Sequence, residues 1–141
     1  MTARVIHSIA ELRAALDEVR RTGASIGLVP TMGALHAGHR SLIERSAREN
    51  GCTVVSVYVN PIQFNDQGDY ATYPRTLDAD AKLCGDAGAA FVFAPSSEEM
   101  YPQPQRGFVE VERLTDGLCG AFRPGHFRGV TTVVLKLLNI V

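Results

Sequence analysis

Apolar residues along this chain switch repeatedly between two spacings. Ile9, Leu12, Leu16 and Val19 recur at helical intervals behind Ser8-Ile9-Ala10-Glu11, a capping-box pattern, and Gly23 stands where that helix should stop. Residues 1–5 lead directly into this helix start. Residues 25–29 form a short apolar run of buried-strand type. Leu42, Ile43 and Ala47 then return to helical spacing, in a helix that follows His39 and runs to Asn50 with Gly51 as its terminator. Residues 52–59 are β-branched and almost continuously apolar, which suits a central parallel strand covered on both faces. A loop of roughly a dozen residues follows, longer than most connections in compact domains, carrying Asn60, Gln63, Phe64, Asn65, Asp66, Tyr70 and Tyr73. Thr76 caps the next helix, which passes through Leu77, Ala81 and Leu83 or Cys84 and ends near Gly85 or Gly88; residues 90–94 are the next buried strand. Strand, helix, strand, helix, strand predicts an α/β domain on a parallel sheet with right-handed crossovers.

The remaining residues are less regular. Residues 96–107 are turn-rich, and residues 108–112 alternate apolar and polar as a further strand would. From Val130 onward, Val133, Val134, Leu137, Leu138 and Val141 mark one face of a helix. No stop residue follows Val141, so this stripe is expected to lack part of its cover and the domain to be unfinished.

A chain of 141 residues fits one domain with a real core, and no repeat, low-complexity tract or linker divides residues 1–141. Fourteen basic against fifteen acidic side chains give a net charge of −1, which offers no electrostatic case for nucleic acid. Lys136 and Asn139 interrupt the longest apolar run, so no membrane span is expected. The N-terminus lacks a basic-then-apolar signal pattern. Cys52, Cys84 and Cys119 are odd in number and widely spaced, as reduced thiols of a cytoplasmic protein would be.

The chemistry concentrates in Pro30-Thr31-Met32-Gly33-Ala34-Leu35-His36-Ala37-Gly38-His39, between a predicted strand and a predicted helix. Ligands of α/β proteins gather at such carboxyl ends of strands. Gly33 and Gly38 allow a sharp turn and close approach, and the N–H groups that open the helix favour an anion. His36 and His39 lie near enough to face one ligand together. Two imidazoles here can donate to phosphoryl oxygens, supply half a tetrahedral zinc shell, or be ordinary surface histidines. The strand, the glycines and the helix around them favour the phosphate reading.

This segment, with Ser41-Leu42 behind it, resembles the nucleotide-binding segment of the pantoate–β-alanine ligase (pantothenate synthetase) family, members of the H-x-G-H nucleotidyltransferase superfamily. Tyr58-Val59-Asn60-Pro61-Ile62-Gln63-Phe64 with Tyr73-Pro74-Arg75-Thr76, and Arg123-Pro124-Gly125-His126-Phe127-Arg128-Gly129-Val130, match the same family in the same order. The resemblance implies a Rossmann-like parallel sheet with flanking helices. It also implies a lysine-bearing segment, a serine–arginine–asparagine loop and a small C-terminal domain that do not occur here, so a chain truncated before the domain is complete and inactive alone.

The implied reaction joins pantoate and β-alanine with ATP and Mg2+ through pantoyl adenylate. The resemblance assigns His39 and His36 as catalytic. It places ATP along Met32, Gly33, Ala34, Leu35, His36, Ala37, Gly38 and His39, and pantoate or β-alanine against Gln63, Met32, Phe64 and Val134. Asn60, Tyr73, Arg123 and His126 are further candidates. The full-length protein is expected to be a homodimer, with no dedicated metal site. The competing readings are a non-catalytic nucleotide- or pantoate-binding fragment, another H-x-G-H nucleotidyltransferase, and a metal-dependent hydrolase using His36, His39 and His126.

Overall fold

The computed structural model describes residues 1–114 and 117–141. In chain order the elements are β1 (Arg4–Ile6), α1 (Ile9–Arg21), β2 (Ile26–Thr31), α2 (Ala37–Glu49), β3 (Cys52–Val57), a 3-10 turn (Pro61–Gln63), α3 (Gln67–Thr72), α4 (Leu77–Asp86), β4 (Phe91–Phe93), α5 (Ser97–Met100), α6 (Cys119–Phe122) and α7 (His126–Ile140). The four strands form one parallel sheet in the order β1-β4-β3-β2.

Each face of the sheet is covered by its own helices. On one side Leu12 and Leu16 of α1 meet Val133, Leu137 and Ile140 of α7 over Val54 and Phe93; on the other, Ile43 of α2 and Ala81 and Cys84 of α4 pack over Val29, Val55 and Val92. Both faces of β3 are therefore dry, as its unbroken apolar run requires, and Val54 and Val55 are each 0% exposed. Full burial of one such side chain stabilises by about 1.5–3 kcal/mol. The sheet's parallel strands bring the chain segments that leave β2, β3 and β4 to one edge of the domain, where the loops gather.

The structure changes four expectations. Residues 4–6 form a strand, which pairs with β4 and is too short to show a period in the sequence. The long loop after β3 contains the 3-10 turn and α3. Residues 108–112 form no strand among the described residues: the Val109 N–H donates to Thr132 Oγ1 at 3.0 Å, and the Thr131 hydroxyl donates to the Val109 carbonyl. Their alternation reflects contact with α7, with Arg128 stacked 4.3 Å over the Phe108 ring. Finally, α7 starts at His126, and its stripe is mostly covered: Val133 and Leu137 are buried, Val134 and Val141 partly so, while Leu138 remains 60% exposed. The cover comes from β2, β3 and α1, which the helix period alone cannot reveal.

Candidate active site

The histidine segment is wired largely to itself. β2 ends at Thr31, whose hydroxyl donates to the Ser56 carbonyl at 2.7 Å and accepts the Gly33 N–H at 3.2 Å. Gly33 then turns with φ +81, where an added Cβ would lie 3.0 Å from both Asp80 Oδ2 and Val57 Cγ1. His36 is the N-cap of α2, and His39 sits within its first turn. The Gly38 N–H donates to His36 Nδ1 at 3.1 Å and the His36 N–H donates to His39 Nδ1 at 3.3 Å. Both Nδ1 atoms therefore accept, so in each neutral ring the proton sits on Nε2, the nitrogen that faces away from the backbone. The rings lie 4.2 Å apart, centroid to centroid.

Burial, followed by repulsion from His36, lowers the His39 pKa below 6.5, against an opposing pull from Asp80. The neutral donor form is thus the one held at neutral pH. A lowered folded-state pKa makes the unfolded chain the better proton binder, so this group removes stability as pH falls below about 6.5. Gly38 is needed by the His36 ring itself, since an added Cβ would lie 2.9 Å from its Cε1.

The opposite wall is assembled from distant segments. Gln63 is 7% exposed and donates from Nε2 to Met32 Sδ at 3.1 Å. Asn60, 1% exposed, donates from Nδ2 to the Gly129 carbonyl at 3.0 Å and to Gln63 Oε1 at 3.2 Å; its Oδ1 accepts the Tyr101 hydroxyl at 2.7 Å. Because a carbonyl can only accept, the Gly129 contact fixes which Asn60 atom is nitrogen. That in turn presents Gln63 Oε1 to Asn60 and leaves Gln63 Nε2 as the forward donor. Tyr101 is held from behind by Lys136, 4.3 Å over its ring. Gly129 is where α7 touches the 3-10 turn: an added Cβ would lie 2.6 Å from Gln63 Cα and 2.7 Å from the Ile62 carbonyl oxygen.

Between the two walls lies a cavity of about 260 Å³. Met32, His39, Gln63, Tyr73 and Val134 line it, with Val130, Val133 and Leu137 of α7 completing an apolar side. A neighbouring cavity of about 310 Å³ shares Met32, Gly33 and Tyr58 as walls and adds Arg75, Thr76, Asp80 and Ser97. There the Tyr58 hydroxyl donates to Ser97 Oγ at 3.2 Å, and burial pushes its phenol up to about 12. The Arg75 guanidinium donates to the carbonyls of Tyr70, Ala71 and Tyr73, tying down the end of α3.

Other expected site residues take different places. Phe64 packs edge-on against Tyr70 and Tyr73, at 5.7 and 5.8 Å, and supports Tyr73 without lining the cavity. Asn60 stands behind Gln63. His126 Nδ1 lies 2.9 Å from the Gln63 carbonyl oxygen, which can only accept, so His126 donates and steadies the turn. Arg123 is exposed at the end of α6. The N–H groups of Ala34 and Leu35 point at Asp80, so they are occupied within the protein; Ala37 is exposed at the start of α2. Among the described residues no group of three or more His, Cys, Asp or Glu is clustered to hold a metal. No helix among them is long and apolar enough to cross a membrane.

Sequence reasoning missed Asp80, Tyr101 and Gly129. Each acts across a long gap in the chain, and only Gly129, inside a matched motif, carried any local signal.

Comparison with known proteins bears on the family and the fold. The family model for pantoate-beta-alanine ligase matches residues 4–141. Pantothenate synthetases from Bacteroides thetaiotaomicron and Heliobacterium modesticaldum are 60% and 56% identical over 138 residues, covering 98% of this chain and 49% of each relative. Among solved structures, pantothenate synthetase from Thermus thermophilus superposes with a TM-score of 0.89 at 50% identity, over 98% of this chain and 49% of that one. Pantoate-beta-alanine ligase from Francisella tularensis, in complex with beta-gamma ATP and β-alanine, gives 0.91 at 40% identity, over 98% and 53%. The chain spans about half the length of the curated relatives it matches. It belongs to the pantoate–β-alanine ligase family.

Proposed function

We propose that this chain supplies the acid-binding pocket and the phosphate-facing histidines for ATP-dependent condensation of pantoate with β-alanine. The observation that carries the reading is that His39 and Gln63, from two separate segments, line one small cavity. Its side along α7 is apolar and branched, which suits the hydrocarbon part of pantoate, and Gln63 Nε2 offers a donor to its hydroxyl or carboxylate.

In the first step a pantoate carboxylate oxygen attacks the α-phosphorus of ATP. The new P–O bond forms as the bond to the β-phosphate bridge breaks, and pyrophosphate leaves. His39 and His36 donate from Nε2 to the phosphoryl oxygens on which charge grows, and because both rings are pinned through Nδ1 they need no reorganisation. In the second step the β-alanine amine attacks the acyl carbon. A C–N bond forms, the C–O bond to AMP breaks, and the amine releases a proton. Magnesium would arrive with the nucleotide phosphates, because the buried carboxylate nearby, Asp80, is already bonded on both oxygens.

Among the described residues no lysine or arginine lines the His39–Gln63 cavity; Lys136 donates to the Met100 carbonyl and Lys82 pairs with Asp86. Two neutral imidazoles are weak compensation for a triphosphate, so this chain should bind ATP weakly and turn over below detection. Calorimetric titration with pantoate, alongside a pyrophosphate-release assay, tests the assignment. Gln63→Ala should weaken pantoate binding about 10-fold, the worth of one good hydrogen bond. Equal affinity in both proteins would reject the pocket. Pyrophosphate release by this chain would instead show that the histidine pair suffices without a lysine or arginine lining the cavity.

A further inference from the structure

The loop that presents the histidines is anchored by a residue far along the chain. Asp80, in the first half of α4, is 3% exposed, and each of its oxygens takes one backbone N–H of the loop: Oδ2 from Ala34 at 3.0 Å and Oδ1 from Leu35 at 2.9 Å. The Thr76 hydroxyl adds a third donor to Oδ2 at 3.2 Å. None of the described ion pairs includes Asp80, so N–H dipoles and a hydroxyl stabilise the buried charge. Hydrogen bonds to an ionised acceptor are about twice as strong as neutral ones, and two on one carboxylate fix orientation as well as distance.

The backbone held in this way is not one the chain would choose. Ala34 sits at φ +51, a left-handed conformation that is unfavourable outside glycine, and it is the residue whose N–H Asp80 captures. Strain of this kind persists where its surroundings over-determine it. One residue after Leu35 the chain reaches His36, the N-cap whose own N–H holds His39 in its tautomer. The path from Asp80 to the second imidazole is therefore two hydrogen bonds and two residues of backbone.

We infer that Asp80 is a positioning residue for the histidine pair: through the N–H groups of Ala34 and Leu35 it sets where the loop enters α2, and so where Nε2 of His36 and His39 point. Asp80 touches no reacting atom. It also couples the two halves of the site's rim, because Thr76, which bonds the same carboxylate, closes the segment that carries Tyr73 to the cavity. The consequence for rate rests on the proposed function above; the consequence for loop geometry does not.

The test uses this chain and the isosteric Asp80→Asn, which cannot accept both N–H bonds. Amide exchange is followed by NMR at Ala34 and Leu35, and the imidazole nitrogens of His36 and His39 are read directly. Exchange at the two amides should rise at least ~10-fold, and the Nε2–H preference of His39 should become a mixture, while Val54 and Val55 in the core keep their protection. Unchanged amides and tautomers in a folded variant would overturn the inference. Should Asp80→Asn fail to fold, Thr76→Val removes only the third donor; it should loosen Ala34 by roughly 3-fold, and no change there would overturn the inference equally.

Where adenylate formation is measurable in protein of the relatives' full length, Asp80→Asn should lower its rate ~10²-fold with pantoate KM within ~3-fold, the split expected of a misplaced donor. A loosened loop with an unchanged rate would overturn the catalytic part. If the unsubstituted protein forms no adenylate, the function proposed above fails, and the NMR result still decides the role of Asp80.

Discussion

The two walls of the cavity are built in opposite ways. On the histidine side, the bonds that set His36 and His39 run within four residues of chain, from His36 to His39. On the glutamine side, Gln63 is oriented by Asn60, which is fixed in turn by Tyr101 and by the Gly129 carbonyl, 41 and 69 residues away from Asn60. A donor pinned by its own neighbours tolerates distant change, whereas one at the end of a tertiary chain inherits every fault along it. Asp80 qualifies the contrast, because it ties even the local wall to a second element.

Removing the local donor should give the largest effect. In protein of the relatives' length His39→Ala is expected to lower adenylate formation ~10²–10³-fold, as loss of a donor to developing charge does elsewhere. The melting temperature should barely move, since the ring supports little beyond its own turn. Near-normal pyrophosphate release would remove His39 from the chemistry and leave the histidine wall a structural turn.

Gly129→Ala addresses the other wall. The new methyl would meet the Gln63 and Ile62 backbone at 2.6–2.7 Å, which rigid main chain cannot easily relieve. Overpacking of this kind costs about 1–3 kcal/mol, and the displaced turn should carry Gln63 out of register with the cavity. Chemical denaturation and pantoate titration should therefore change together. Lost stability with normal pantoate affinity would mean that Gln63 does not depend on the α7 contact.

The smallest effect is expected from Tyr101→Phe. It deletes only the hydroxyl bonded to Asn60 Oδ1, leaving the ring under Lys136. A net loss of about 1 kcal/mol in stability is expected, with pantoate affinity down ~3-fold and ATP affinity unchanged. An effect on ATP as large as that on pantoate would show that the two walls are coupled, with the Gln63 Nε2 to Met32 Sδ bond as the direct link between them.

Sequence alone determined the features whose physics is local. The helical and strand periods placed α1, β2, α2, β3, α4 and β4 within a few residues, because each element shows the face it buries. The cap at Ser8, whose side chain accepts the Glu11 N–H, was legible for the same reason, as was the turn carrying His36 and His39, since glycines, strand and helix lie side by side in the chain. Tertiary structure decided the rest. β1 is three residues long and owes its form to pairing with β4, and residues 108–112 alternate yet form no strand because hydroxyls of α7 take up the polar groups of Val109. Asp80 reads in sequence as one more helix-surface acid and Tyr101 as a loop aromatic. A carboxylate reveals its role only when the fold carries it to two N–H groups 45 and 46 residues away, a pairing set by packing that no sequence interval records.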